Sequence, residues 1–131
     1  MRALDEMFTF HAKFVHADEL CRRLSFADDN TAAEHYFVFD RSEASPDDAT
    51  PDMDNVYIER DDQGWGGYGG IELATLERNS LTLRLDDRMS RKMDCDSIRV
   101  TFDVAQATFQ ELSVALTLIM RGYESKLIVV A

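Results

Sequence analysis

Gly64, Gly66 and Gly69 stand at the GxGxxG spacing, the pattern with which a strand-to-helix turn presents backbone amides to a pyrophosphate. That chemistry requires a helix after the glycines, and here IELATLER at 71–78 reads as a strand. Asp61 and Asp62 would also set two negative charges beside any phosphate, so the dinucleotide reading is rejected. Asp47, Asp48, Asp52 and Asp54 are close enough in sequence to suggest a cation. A calcium loop, however, needs alternating ligands, a central glycine and a closing glutamate, and none falls in register. His11, His16 and His35 form no ligand pair, HExxH, CxxC and GxSxG are absent, and no metal site is expected. Carboxylate pairs such as Glu59 with Asp61, or Glu72 with Glu77, could in principle serve as acid and base. Among 25 acidic residues such pairs arise by chance. The chain is read as non-catalytic, with no cofactor.

Which elements would position these residues? Phe8, Phe10, Ala12 and Phe14 alternate with polar residues and predict a first strand. Leu20, Leu24 and Phe26 predict a second, and YFVFDR at 36–41 a third. Residues 42–55, SEASPDDATPDMDN, hold both prolines and five acids and read as a surface loop. NVYIER predicts a further strand, DDQG at 61–64 a turn, and IELATLER and LTLRLDD two more strands. In DDRMSRKM, Met89 and Met93 lie four apart behind two aspartates, which predicts one or two helical turns. SIRVTFDV returns to alternation. From about 105 to 123 apolar residues recur at helical spacing, with Asp103 and Gln106 resembling a capping box and Gly122 a stop. KLIVV closes the chain as an edge or interface strand, which raises a homodimer through the C-terminal strand as well as pairing within its own sheet.

Together these predict a single α+β domain over residues 1–131: a mainly antiparallel sheet of about six to seven strands, one long C-terminal amphipathic helix packed on one face, and one short helix. Length is consistent with this, since 131 residues supply one core. Cys21 and Cys95 are too few and too far apart for a disulfide framework and are read as thiols. No stretch reaches membrane-spanning length and no signal segment is recognisable, so a cytoplasmic protein is expected.

The formal net charge is −11. Phosphate backbones and anionic lipid surfaces repel such a chain, which excludes nucleic acid and membranes as expected partners. A partner with a basic surface would be steered in.

Five of the six glycines fall within GWGGYGG at 64–70, around the one tryptophan. Glycine weakens a strand, so the cluster must answer a backbone need: positive φ, a bulge, or close approach of another chain. Trp65 and Tyr68 either fold back over the sheet or stand as exposed anchors for a partner. FADD at 26–29, YFVFDR at 36–41, MDNVYIERDDQGWGGYGGIE at 53–72 and SLTLRLDD, in that order, resemble the immunity protein 10 family of bacterial polymorphic toxin systems. The similarity spans roughly residues 8–120 and is most specific in VYIERDDQGWGGYGGIE. The C-terminal RGYESKLIVVA extends beyond the pattern. The resemblance implies a small α+β protein that binds and neutralises a toxin encoded beside it, without catalytic residues. On that expectation Asp47, Asp48, Asp52 and Asp54, with Glu59, Asp61 and Asp62, form a negative rim to a basic cleft, and Trp65 and Tyr68 supply the anchors. A nucleic-acid-targeting toxin fits the charge, because its cleft would be basic. The alternative is a small-molecule-binding domain in which the glycine-rich segment walls a pocket.

Overall fold

The computed structural model of the chain describes residues 6–18, 20, 22–29, 31–41, 53 and 55–130. Among these, ten strands form two five-stranded sheets. The first sheet has the order β1 (Met7–Ala12), β9 (Ser97–Phe102), β8 (Ser80–Leu85), β7 (Ile71–Glu77), β10 (Leu127–Val129). The second runs β2 (Phe14–Asp18), β3 (Arg23–Ala27), β4 (Tyr36–Arg41), β5 (Val56–Arg60), β6 (Asp62–Tyr68). Two helices, α1 (Asp87–Met93) and α2 (Gln106–Ile119), complete the α+β domain.

Alternation puts one face of each sheet into a shared core. Leu24, Phe26, Phe37, Phe39 and Ile58 from the second sheet and Leu81, Leu83, Ile98, Val100 and Phe102 from the first are all buried. Phe26 and Phe102 stack with ring centroids 5.8 Å apart, which ties the two sheets directly. Each side chain so buried contributes about 1.5–3 kcal/mol. Helix α2 turns Phe109, Leu112, Ala115, Leu116 and Ile119 inward against β2 and β3, as its periodicity requires.

The strand count exceeds the sequence-based expectation, and one sheet becomes two. The alternating run from Phe8 to Phe14 crosses from one sheet to the other at Lys13, whose amide bonds the Ala27 carbonyl, and Phe14 faces outward. Leu20 is 95% exposed in a turn outside β3. DDQG does not end in a turn, because Asp62–Tyr68 pairs with β5 and the glycine-rich segment is itself an edge strand. Most pairs are antiparallel, while β1–β9 and β7–β10, at the flanks of the first sheet, are parallel. KLIVV does form an edge strand, held beside β7 in its own sheet.

The helix ends are satisfied differently from the capping pattern in the sequence. In α1 the Asp86 carboxylate accepts the Met89 amide at 2.8 Å, as expected. The N-cap of α2 is Ala105, with no side-chain bond, because Asp103 lies two residues too early. Both C-terminal ends receive a buried arginine from the second sheet: Arg41 Nη1 donates to the Ile119 and Arg121 carbonyls, and Arg60 Nε donates to the Met93 carbonyl at 3.0 Å. A cation at the negative end of the helix dipole is stabilising there.

Candidate partner-binding surface

Strands β5 and β6 are joined by Asp61, in the left-handed region at φ 61°, and the ladder shifts register between Glu59 and Arg60. Ordinary alternation along β5 sends the two neighbouring side chains to opposite sides of the sheet. Arg60 points into the core side, Glu59 to the outside.

On the core side Arg60 lies between two rings, its guanidinium carbon 4.1 Å from the centroids of both Phe8 and Trp65. Asp61 completes the group. Its carboxylate accepts from Arg60 Nη1 at 3.2 Å, from the Tyr36 amide at 3.0 Å, and meets His35 Nδ1 at 3.1 Å. Trp65 is 37% exposed, so one ring face covers a buried cation while the rest reaches solvent.

On the outer side β5 register places Tyr57 opposite Tyr68 and Glu59 opposite Gly66. The Tyr57 and Tyr68 rings lie 5.0 Å apart at 55°. Tyr36 and Tyr57 each donate their hydroxyl to Glu59, one to each carboxylate oxygen. Gly66 is small for a reason, because a Cβ there would land on the Tyr57 hydroxyl. Burial first, and then hydrogen bonding and proximity to the Glu59 carboxylate, push the Tyr57 phenol from 10.0 up to about 12 and raise Tyr36 as well. Asp40, across from Tyr57, is also raised, mainly by burial, with Arg23 at 4.0 Å opposing the shift. Asp62 is exposed at the start of β6, with its Oδ1 accepting the Gly64 amide at 2.7 Å.

The expected site residues thus separate into three groups. Glu59, Asp62 and Tyr68 belong to the outer surface of the β5–β6 hairpin. Trp65, on the opposite face by alternation, sits with Arg60, and the Asp61 carboxylate is bound up in the core-side group. Asp47, Asp48, Asp52 and Asp54 lie outside the described residues. Tyr36, Tyr57 and Asp40 were missed. Tyr57 and Glu59 stand two apart in one strand and therefore share a face, a signal present in VYIER. Their meeting with Tyr68 depends on the hairpin register, which the bulge conceals.

The glycine-rich segment does not wall either of two open clefts in the structure. One of about 580 Å³ is lined by His11, Arg78, Arg99 and Thr101 among others, and one of about 250 Å³ by Phe8, Arg60 and their neighbours. Gly70, at φ 80°, and Gly69, at φ 74°, instead turn the chain from β6 into β7, and no helix follows them. Asp28, Glu34 and His35 gather near one another, and the Asp28 carboxylate accepts the Glu34 and His35 amides, which closes the 28–35 loop. No helix among the described residues is long and apolar enough to cross a membrane.

The family model described as Immunity protein 10 matches residues 9–110, a span that includes the hairpin, both faces around it and α1. None of the curated proteins matches the chain.

Proposed function

This chain belongs to the immunity protein 10 family, and from that premise we propose that it binds and neutralises a cognate bacterial toxin without catalysing a reaction. The family match carries this reading. The charge supports the kind of partner: a net −11 favours a basic toxin surface, such as the cleft of a nucleic-acid-targeting enzyme, over nucleic acid or lipid. Neutralisation takes place in the cytoplasm of the producing cell, where no metal or cofactor is needed for an occluding complex.

The interface we propose wraps the β6 edge. Trp65 and Tyr68 occupy opposite faces of that strand, so a partner that uses both anchors must straddle it. Glu59 and Asp62 supply charge on the outer side, joined by Asp47, Asp48, Asp52 and Asp54 from the acidic loop. Asp61 acts from beneath, by holding Arg60 and the turn. Homodimerisation through β10 would leave this edge free, since β10 flanks the other sheet.

The test is co-expression with the product of the adjacent reading frame, scored by growth and by co-purification. Rescue with a stable complex is the expected result. Within that complex Asp62→Lys should slow association and flatten its salt dependence, whereas Trp65→Ala should mainly raise the dissociation rate. A toxic neighbour that is neither bound nor rescued would sink the proposal.

A further inference from the structure

On the outer face of the second sheet, Glu59 is already shaped for one more ligand. A carboxylate offers about four lone-pair positions, and two of them are taken, one on each oxygen, by the hydroxyls of Tyr36 and Tyr57. Each oxygen thus keeps acceptor capacity, and a carboxylate with both oxygens still able to accept is what the planar fork of a guanidinium binds. The Tyr57 ring borders this position, and the Tyr68 ring, 52% exposed and 5.0 Å from that of Tyr57, extends the aromatic surface along the same face. Aromatic faces beside a carboxylate attract a cation that is both flat and weakly hydrated, which describes arginine better than lysine.

The same protein shows this recognition turned inward. Arg60 rests between the rings of Phe8 and Trp65 with Asp61 on its Nη1. The outer group repeats the aromatic and acidic components, and among the described residues no cation is bonded to Glu59: on that face Arg23 lies toward Asp40, 4.0 Å away, which stands across from Tyr57 in the ladder. Charge complementarity therefore selects the occupant. We infer that Glu59, framed by Tyr36, Tyr57 and Tyr68, is the seat of an arginine side chain presented by the toxin. This rests on the immunity reading and names the chemistry of its central contact. Holding the carboxylate in place before binding removes a rotamer cost from the complex.

The experiment uses the full chain and the catalytically inactivated product of the adjacent reading frame. Glu59→Gln should weaken the complex roughly 30-fold, mostly through faster dissociation, because it leaves a covered guanidinium without its charge partner. Glu59→Asp should not restore affinity, since the shorter side chain withdraws from the fork. Tyr68→Ala, whose ring makes no bond to Glu59, should weaken binding about tenfold and keeps the test open if Glu59→Gln unfolds. Thr82→Ala on the other sheet should bind as wild type. A double-mutant cycle against toxin arginines changed to lysine should find one that couples to Glu59. Wild-type affinity in both Glu59→Gln and Tyr68→Ala, or no toxin arginine coupled to Glu59, overturns the seat while leaving neutralisation intact. If the wild-type chain itself neither binds nor rescues, the functional reading fails and the seat falls with it.

Discussion

Glu59 illustrates how one side chain takes its character from its neighbours. Two phenols donate to it, and their resistance to ionisation follows first from burial and then from that bond and charge. The sign is simple: a phenol whose folded pKa is raised contributes stability that is present below 10.0 and is lost as pH climbs through about 12. Absorbance titration should therefore leave Tyr57 and Tyr36 protonated at pH 11, and Glu59→Gln should lower both midpoints partway, since burial remains. Full ionisation at pH 11 in the wild type would contradict the network. Gly70 is a second decisive position. Its φ of 80° is strained for any other residue, and an added Cβ would lie 2.5 Å from the Met89 Cβ in α1. Gly70→Ala should cost about 1–3 kcal/mol, read as a lowered denaturation midpoint. Gly66→Ala would press on the Tyr57 hydroxyl and approach the Glu59 Cβ at 3.3 Å, so it should move the hydroxyl off Glu59, and with no left-handed backbone to strain its loss of stability should be smaller than that of Gly70→Ala.

Among the elements, the two helices share one device and differ in another. Arg41 and Arg60 close strands β4 and β5, and each reaches the last carbonyls of a helix, which locks helix to sheet at the C-terminal end. Burial lowers the Arg41 pKa, yet the carbonyls and the Tyr123 ring 5.5 Å away hold the cation in the core. The N-terminal end of α2 has no such support, because Ala105 caps it with an extended backbone and no side-chain acceptor. Ala105→Ser supplies that acceptor at an exposed position and should raise stability by about 1 kcal/mol, measured by chemical denaturation. Strand β6 is the counterpart on the sheet side. Its outward edge groups are partly capped, at Gly64 by the Asp62 carboxylate and at the Tyr68 carbonyl by Arg88 at 2.9 Å, which protects a glycine-rich edge from strand addition.

For the molecule as a whole, charge sets how a partner arrives. With −11 spread over a small domain, association with a basic toxin should slow about tenfold as ionic strength rises from roughly 0.05 to 0.5 M, while dissociation changes little. Stopped-flow rates across that range check it, and a flat association rate would show that steering is absent. The two-sheet arrangement matters for the same partner, because it leaves the outer face of the β3–β6 strands open while α2 occupies the inner face beside β2 and β3.

Much of this was legible in the chain before any coordinates. YFVFDR, IELATLER and SIRVTFDV form strands within a residue or two of their alternating runs, because period two reports which side of a strand is buried. The short helix, its aspartate cap and the absence of a helix after the glycines could be read the same way, from local chemistry. The family resemblance was carried by VYIERDDQGWGGYGGIE, a block of local order. What needed the folded chain was every relation between segments. Alternation runs unbroken through Lys13, so the switch from one sheet to the other left no mark in the pattern. Trp65 and Tyr68 looked like one pair of anchors, and the pleat puts them on opposite faces. Asp61 looked like surface charge, and a left-handed turn draws its carboxylate to Arg60 and His35. Local periodicity constrains a residue's side, whereas its neighbours across the sheet follow from register and packing, which are set by segments distant in sequence.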